Sequence, residues 1–309
     1  MSILAKLKSP GHITEAVIHV NEARNAIESS RSFVEISRGL FDALNKIQTE
    51  WLLDHPRQPG EKIGEVKTFQ LMTHGLPPEA RTSFLRSSQL GSLVDFEPRV
   101  MNHDTLRNGG YRPASEIPVA LAKAASKEHQ KLVTAYRQLE SSRDSETEDR
   151  VLKRAAEMLY VVRSNIAHGE KPPYDPNHEK RKRDESVCAI IIPLQLMLID
   201  LLLDRPSTKL VAYGTLAPGK SNHRFIENIS GAWRNCTLRG SMDVIDGLPI
   251  LSWDPAGPNI DAQVLLSEQL PEHWPRIDDF EGSAYKRRLI TISTSGAIDV
   301  AFIYVGTSQ

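Results

Sequence analysis

The chain has few cysteines, almost no net charge and no apolar run long enough for a full membrane span. Its 309 residues include two cysteines, Cys188 and Cys236, and neither has a C-x-x-C partner. This spacing excludes a cysteine metal framework and is typical of reduced, cytosolic proteins. The formal net charge is −1, so any nucleic-acid site has to come from a local patch rather than from bulk charge.

The most apolar run, residues 187–203, falls short of a span and contains Pro193, Gln195 and Asp200. These features favour a helix buried in a bundle over a membrane helix. The first 16 residues lack the apolar core of a signal peptide, and the histidines show no H-E-x-x-H spacing. We therefore expect a cytoplasmic protein with no membrane partner, no metal site and no cofactor.

The first two thirds of the chain have the periodicity of helices. Apolar residues recur at three-and-four spacing over about six turns from Phe33 to Trp51, and helical patterning returns near residue 117. Between these parts, residues 54–115 are rich in Pro, Gly, Arg and His, which predicts a loop-rich insertion. Four or five long helices with short connections predict an antiparallel helical bundle over residues 1–205.

The residue pattern of the sequence changes at residues 204–208, where Pro206 ends the last helical run. Beyond it, short β-type runs are separated by Gly, Pro and Asn-Asp turns, with one credible helix near residues 272–282. Residues 208–309 are thus predicted to form a mixed domain of about a hundred residues, a common domain size. The predicted class is a multidomain α and α+β protein.

One loop of this second domain matches two different patterns. Residues 214–221 satisfy G-x-x-x-x-G-K-[ST], the loop that holds phosphates in many nucleotidases. Pro218 removes a backbone donor just before Gly219 and Lys220, and only a short helix has room to follow. No apolar strand ending in Asp follows to hold Mg²⁺. The context therefore argues against a nucleotide site.

The C-terminal hundred residues resemble the gamma-glutamylcyclotransferase-like (AIG2-like) family in three blocks. These blocks are Y-G-T-L at residues 213–216, I-D-D-F-E-G-S-A-Y-K-R at 277–287 and A-F-I-Y-V at 301–305. The resemblance covers roughly residues 208–309. It implies a small mixed β-barrel with helices, whose cavity holds a γ-glutamyl or related amine ligand. It also implies cavity-lining roles for Tyr213, Gly214, Thr215, Leu216 and Tyr285, and an acid/base role for Glu281.

The chemistry of such a site needs few groups. A partly desolvated carboxylate such as Glu281 can take a proton from the substrate ammonium and give it to the leaving amine. Backbone amides on a glycine turn can hold a carboxylate or a developing oxyanion. The alternative interpretation is that Glu281 is an exposed acid at a helix end and that the Tyr213 loop is a structural turn.

A second motif lies in the helical part, where Arg163, Asn165 and His168 form R-x-N-x-x-H, followed by Gly169. This segment resembles the HEPN superfamily of helical bundles, whose ribonuclease members carry an R-x4–6-H motif. The resemblance implies metal-independent RNA cleavage and a homodimer in which two such motifs face one cleft. Histidine suits proton transfer near neutral pH, and arginine suits bidentate phosphate binding. The alternative is an ordinary helix C-terminus, where both side chains favourably face the helix dipole.

Two functional hypotheses follow. In the first, the chain is an RNA-cleaving or RNA-binding effector, of toxin or defence type, whose C-terminal domain binds or cyclises a small γ-glutamyl amine. In the second, the C-terminal domain is the only enzyme, a γ-glutamyl cyclotransferase that releases 5-oxoproline. The bundle is then a dimerisation or interaction module.

Overall fold

The computed structural model describes residues 4, 10–55, 64–97, 99–102, 105, 116–142, 144–167, 178–245 and 248–307. The chain divides into two compact units. The helical unit holds residues Glu22–Ile199, and the barrel unit holds Asp200–Gln309 together with the N-terminal residues through Asn21. The sequence pattern predicted a division at residues 205–208 and did not indicate that an N-terminal segment groups with the second unit.

Ten α-helices are present in the described residues, nine of them before residue 205. Their bounds are α1 Pro10–Glu28, α2 Phe33–Asp54, α3 Glu65–His74, α4 Pro78–Leu85, α5 Ser88–Val94, α6 Val119–Ala125, α7 Lys127–Ser141, α8 Ser145–Ala167, α9 His178–Leu202 and α10 Leu270–Glu281. In the helical unit, α8 packs against α2, α3 and α7. The region before residue 205 is therefore helical, as the periodicity predicted.

Helix α2 shows how the predicted periodicity becomes a core. The apolar residues of its stripe, Ile36, Leu40 and Ile47, are fully buried. The Ser32 hydroxyl accepts a hydrogen bond from the Val34 amide at the start of the helix, which satisfies one of the amides that a helix N-terminus leaves unpaired.

The prediction of a loop-rich insertion over residues 54–115 is wrong for residues 65–94, which form the three short helices α3, α4 and α5. The residues that suggested loops lie at helix ends. Gly75 follows the end of α3, Pro78 begins α4, and the Ser87 hydroxyl accepts from the Leu90 amide at the start of α5. Proline and serine are favoured at these positions because they suit a helix start.

The expectation that the apolar run is too short for a membrane span is wrong for the helix as a whole, because α9 contains a stretch, Lys182–Leu202, that is long and apolar enough to cross a membrane by length and composition. Half of its most apolar window is buried inside the protein. Gln195 is fully buried and exchanges two hydrogen bonds with Ser37, through the hydroxyl and the carbonyl oxygen of that serine, each at 3.0 Å. A paired polar side chain at this depth is what a core helix of a bundle requires.

Six β-strands form the sheet of the barrel unit within its described residues. They are β1 Lys209–Ala212, β2 Ala232–Ile245, β3 Leu248–Trp253, β4 Asn259–Leu266, β5 Tyr285–Thr294 and β6 Ala297–Gly306. The strand order is β3-β2-β4-β1-β6-β5, and an additional β2–β5 pairing closes five strands into a barrel. The β1–β6 pair is parallel and the other pairs are antiparallel. This is the small mixed barrel with helices that the resemblance implied.

Strand β2 takes part in both the barrel and a separate hairpin. Its first half pairs with β4, and its second half, from Gly240, pairs with β3. A side chain at Gly240 would overlap the carbonyl oxygen of Ser252, so glycine is required where the backbones approach this closely.

The N-terminal helix contributes to the barrel unit through Asn21. The Asn21 side-chain amide donates to the carbonyl oxygen of Leu289 at 2.8 Å, and its oxygen accepts from the Leu289 amide at 2.9 Å. Both groups are buried. One side chain therefore satisfies the free backbone groups of β5 beside the short β2–β5 pairing, where an unpaired edge would be costly.

Candidate active site

The loop that follows β1 holds its carbonyl groups in hydrogen bonds within the protein. The Gly214 oxygen accepts from the Ala217 amide at 3.2 Å, and the Thr215 oxygen accepts from the Asn222 amide at 3.0 Å. The Leu216 oxygen is 3.0 Å from the Nδ1 atom of His223, which donates to it. These hydrogen bonds to its carbonyl oxygens fix the loop directly after β1, whose residues are all buried.

The amides of the same loop are available to a ligand. Within the described part of the chain, no hydrogen bond uses the backbone N–H groups of Gly214, Thr215 or Leu216. All three residues line one cavity. Consecutive free amides at the wall of a cavity form a binding site for an anionic group or an oxyanion.

Glycine at position 214 has a steric reason. A Cβ atom there would lie 3.1 Å from Cγ of Pro249, the second residue of β3. Asn222 supports the loop from the other side, because its side-chain amide donates to the Thr215 hydroxyl at 3.0 Å. The turn is therefore packed against the barrel and held in place from both ends.

Glu281 is the last residue of α10, and Gly282 ends the helix with φ of 63°. A left-handed residue at this position favours glycine, which explains the Glu-Gly pair in the sequence. Burial raises the pKa of Glu281 to about 7. The desolvated carboxylate therefore exchanges its proton near neutral pH, which is the property required of a general acid/base.

Three tyrosines surround the carboxylate, at positions 213, 285 and 304. The Tyr213 hydroxyl donates to the Tyr304 carbonyl oxygen at 2.9 Å, and the Tyr285 hydroxyl donates to the Pro249 carbonyl oxygen at 3.2 Å. Burial and then the neighbouring Glu281 charge raise the pKa of Tyr285. All three hydroxyls stay protonated at neutral pH.

A partly buried ionic network fixes the last turn of α10. Asp278 accepts a 2.6 Å hydrogen bond from the Tyr304 hydroxyl and forms a 3.1 Å ion pair with Arg287. The Arg287 guanidinium lies 4.5 Å from the ring centre of Trp274 and 5.2 Å from that of Phe302. Because Asp278 is one turn before Glu281, this network sets the rotation of the turn that carries the carboxylate.

One cavity of about 230 Å³ brings these parts together. It contains all six residues that the sequence placed at the C-terminal site: Tyr213, Gly214, Thr215, Leu216, Glu281 and Tyr285. It also contains residues that sequence reasoning missed: Asn222, Pro249, Phe280 and Tyr304. Tyr304 lies in the A-x-x-Y-V block and could have been found there. Pro249 could not, because it reaches the loop only through the β2–β3 hairpin.

Residues 214–221 match the G-x-x-x-x-G-K-[ST] pattern but do not form a phosphate-binding loop of that type. After Gly219, the chain forms a 3₁₀ turn at His223–Phe225, and β2 is the next regular element. The site thus lacks the helix N-terminus that a phosphate loop uses to bind its anion.

The motif residues of the helical unit have a different environment. Arg163 is half-buried and forms an ion pair with Glu65. Asn165 is buried, and its side-chain amide donates to the Met101 carbonyl oxygen at 3.0 Å. His168 lies outside the described residues. The HEPN resemblance, the RNA partner and the homodimer therefore stay predictions.

Among the described residues, no group of three or more His, Cys, Asp or Glu side chains is placed to hold a metal ion. The charged group of the cavity itself is the Glu281 carboxylate. The candidate chemistry of the site is therefore that of one carboxylate, three neutral phenols and backbone amides.

The fold and the cavity define a small closed barrel in which one partly buried carboxylate and a glycine loop line the same cavity. Residues 210–309 match the family model described as gamma-glutamyl cyclotransferase, AIG2-like. The C-terminal region is therefore an AIG2-like domain, whereas the match leaves the first two thirds of the chain unassigned.

Solved structures similar to this chain cover about a third of it. YkqA from Bacillus subtilis is 23% identical with a TM-score of 0.28, and the match covers 32% of this chain and 36% of YkqA. An AIG2-like protein from Mus musculus is 18% identical with a TM-score of 0.28, covering 33% of this chain and 78% of that one. The uncharacterized protein PH0828 from Pyrococcus horikoshii is 23% identical with a TM-score of 0.27, covering 33% and 80%. No curated protein matches the chain by sequence.

The raised pKa of Glu281 leads to a prediction about stability. The folded state binds this proton more tightly than the unfolded state does, for which the ordinary pKa is 4.5. Below about pH 4.5 both states hold the proton, and as pH rises through about 7 the folded state bears the full cost of a buried charge. We expect Glu281→Gln to raise the free energy of unfolding by about 1–3 kcal/mol near pH 8 and by close to zero near pH 4.5.

Urea unfolding at the two pH values, followed by tryptophan fluorescence, measures this difference. Three of the four tryptophans lie in the barrel unit, so the signal reports mainly on that unit. Glu272→Gln, which changes an exposed acid of the same helix, is the matched control. A Glu281→Gln variant less stable than the wild type near pH 8 contradicts the burial argument.

Proposed function

We propose that the C-terminal domain is a γ-glutamyl cyclotransferase that converts γ-glutamyl amines into 5-oxoproline and the free amine. The observation that carries this proposal is the pairing of the Glu281 carboxylate, whose pKa burial raises to about 7, with the free amides of residues 214–216 in one cavity. The family match to residues 210–309 supports the same class of reaction.

The proposed reaction has three proton transfers and one exchange of carbon–nitrogen bonds. The Glu281 carboxylate takes a proton from the α-ammonium group, and the freed amine attacks the γ-carbonyl carbon to close a five-membered ring. The oxyanion that forms is stabilised by loop amides. As this intermediate collapses, the carbon–nitrogen bond to the leaving amine breaks and Glu281 returns the proton to that amine. The ring nitrogen still carries two protons after the attack, and it loses one of them to the released amine, so that the products are 5-oxoproline with one ring N–H and an ammonium ion. No oxidant, reductant or water is consumed.

The size of the cavity suits a substrate whose glutamyl part is bound inside and whose amine substituent lies outside. About 230 Å³ lies below the range of about 300–1,000 Å³ that drug-sized ligands occupy. The cavity therefore takes the glutamyl part, and the substituent of the leaving amine extends from its mouth. Attack within one bound molecule also benefits from proximity, since no second reactant has to be held.

The direct test is to incubate the full chain with γ-glutamyl ethylamide and to measure the release of ethylamine over a buffer blank. The proposal predicts enzyme-dependent release that saturates with substrate. Absence of release from this and from other γ-glutamyl amides would rule the proposal out.

The pH dependence of turnover follows from the role of Glu281. Because the carboxylate has to be unprotonated to accept the ammonium proton, kcat/KM should rise about tenfold per pH unit below about pH 7 and level off above it. Initial rates at low substrate concentration from about pH 5 to about pH 8.5 measure this profile. A rate that is level or falls across this range would mean that another group is the base.

A further inference from the structure

An aromatic stack lies next to the Glu281 carboxylate, and one of its two rings lines the cavity. Phe280 directly precedes Glu281, lines the cavity and keeps 38% of its surface exposed. Its ring is stacked on that of Phe225, with ring centroids 4.1 Å apart and planes 25° apart. The Phe280 ring is thus held by the stack and is still partly accessible.

The stack is fixed from behind by a cation. The Arg276 guanidinium carbon lies 4.5 Å from the centre of the Phe225 ring, and its Nη2 atom donates to the Phe225 carbonyl oxygen at 2.9 Å. Because Arg276 and Phe280 are four residues apart in α10, they lie on the same face of the helix and hold Phe225 between them. The Phe225 side of this aromatic shelf, formed by Phe225 and Phe280, is therefore in contact with a positive charge.

The position of the leaving amine in the proposed reaction places its substituent against this shelf. Glu281 has to reach the leaving nitrogen in order to protonate it, so that nitrogen lies close to residue 281. The glutamyl part fills the small cavity, and the substituent extends to the mouth, where the accessible part of Phe280 lies.

We propose that the Phe225–Phe280 shelf is the leaving-amine subsite and that it selects γ-glutamyl amines with an apolar or aromatic substituent over those with a cationic one. Aromatic side chains bind aromatic groups through offset or edge contacts as well as through burial. A cationic aminoalkyl substituent is repelled by the Arg276 guanidinium, which already lies against the Phe225 ring of the shelf. This inference rests on the proposed cyclotransferase function and specifies its substrate class.

The test compares three substrates on the full chain: γ-glutamyl benzylamide, γ-glutamyl ethylamide and the mono-γ-glutamyl amide of 1,4-diaminobutane. We expect kcat/KM for the benzylamide to exceed that for the aminobutyl amide by about tenfold in the wild type, the size that an aromatic contact supports. Phe280→Ala should lower the ratio of benzylamide to ethylamide kcat/KM by about fivefold or more. Arg276→Gln should raise relative turnover of the aminobutyl amide by about threefold.

Ratios of two substrates on one variant cancel any loss of folded protein, so a partly unfolded variant still gives an answer. Phe225→Leu provides a second variant that keeps an apolar side chain behind Phe280. Phe33→Ala removes a phenylalanine of similar exposure, 45%, from the helical unit and should leave every ratio unchanged. If turnover occurs but the ratios are the same in the wild type and Phe280→Ala, the shelf is not the subsite. If the wild type turns over none of the three amides, the proposed function itself fails, and the subsite fails with it.

Discussion

Replacing Glu281 by glutamine should lower kcat for γ-glutamyl amides by about 10²–10⁴-fold, the range that positioned acid–base groups contribute. Glutamine keeps the size of the side chain but can neither accept the ammonium proton nor return it. The free amides of residues 214–216 are untouched, so KM should change much less than kcat. Steady-state kinetics on the purified variant measure both parameters.

The matched control is Glu272→Gln, which removes an exposed carboxylate from the first turn of the same helix. It should retain wild-type kcat. Activity of Glu281→Gln above about a tenth of the wild-type value would mean that Glu281 is not the acid/base, because that loss is smaller than the range given for such groups.

Asp278→Ala should both destabilise the barrel unit and reduce turnover. The change removes the acceptor of the Tyr304 hydroxyl and the ionic partner of Arg287, whose side chain is 17% exposed. The Nε atom of Arg287 is already buried without a hydrogen-bond partner among the described residues, so the guanidinium would lose its ion pair as well. We expect the free energy of unfolding to fall by about 2–4 kcal/mol, slightly less than for a fully buried pair because the Asp278 side chain is 41% exposed.

The expected loss of activity from Asp278→Ala has a geometric cause. Without its two contacts, the last turn of α10 is no longer fixed, and a shift of about 1 Å in a catalytic group can reduce the rate by about 10²-fold. We therefore expect kcat to fall by about 10–100-fold at a temperature where the variant is fully folded. Urea unfolding and steady-state kinetics measure the two effects.

Asp279→Ala changes the neighbouring exposed acid and should alter neither quantity by much. If Asp278→Ala and Asp279→Ala behaved alike, the network would not position Glu281.

How far the sequence predicts this molecule depends on the range of the interactions involved. Short sequence blocks contain the loop at Tyr213–Leu216, Glu281 and Tyr285, and the residue types in these blocks indicate their local chemistry. The glycine after Glu281 ends a helix, and the glycine at 214 relieves a close approach. These requirements are local, so each leaves a trace in the sequence.

Contacts between residues far apart in the chain cannot be predicted from the local sequence pattern. Asn21 is paired with Leu289, 268 residues away, and nothing in the first helix indicates that it groups with the barrel unit. Phe225 meets Phe280 only because the 3₁₀ turn and α10 pack together. The three helices between residues 65 and 94 were mistaken for loops because their proline, glycine and serine residues begin or end short helices rather than separate them.

The measurement that tests the central claim most directly is the identity of the acyl product, formed by the full chain from γ-glutamyl ethylamide in ¹⁸O-labelled water. Attack by the internal α-amine predicts 5-oxoproline without ¹⁸O, in an amount equal to the ethylamine released, and a loss of this product in Glu281→Gln. Glutamate carrying ¹⁸O would show that water is the nucleophile, and it would contradict the assignment of the Glu281 cavity as a cyclotransferase site.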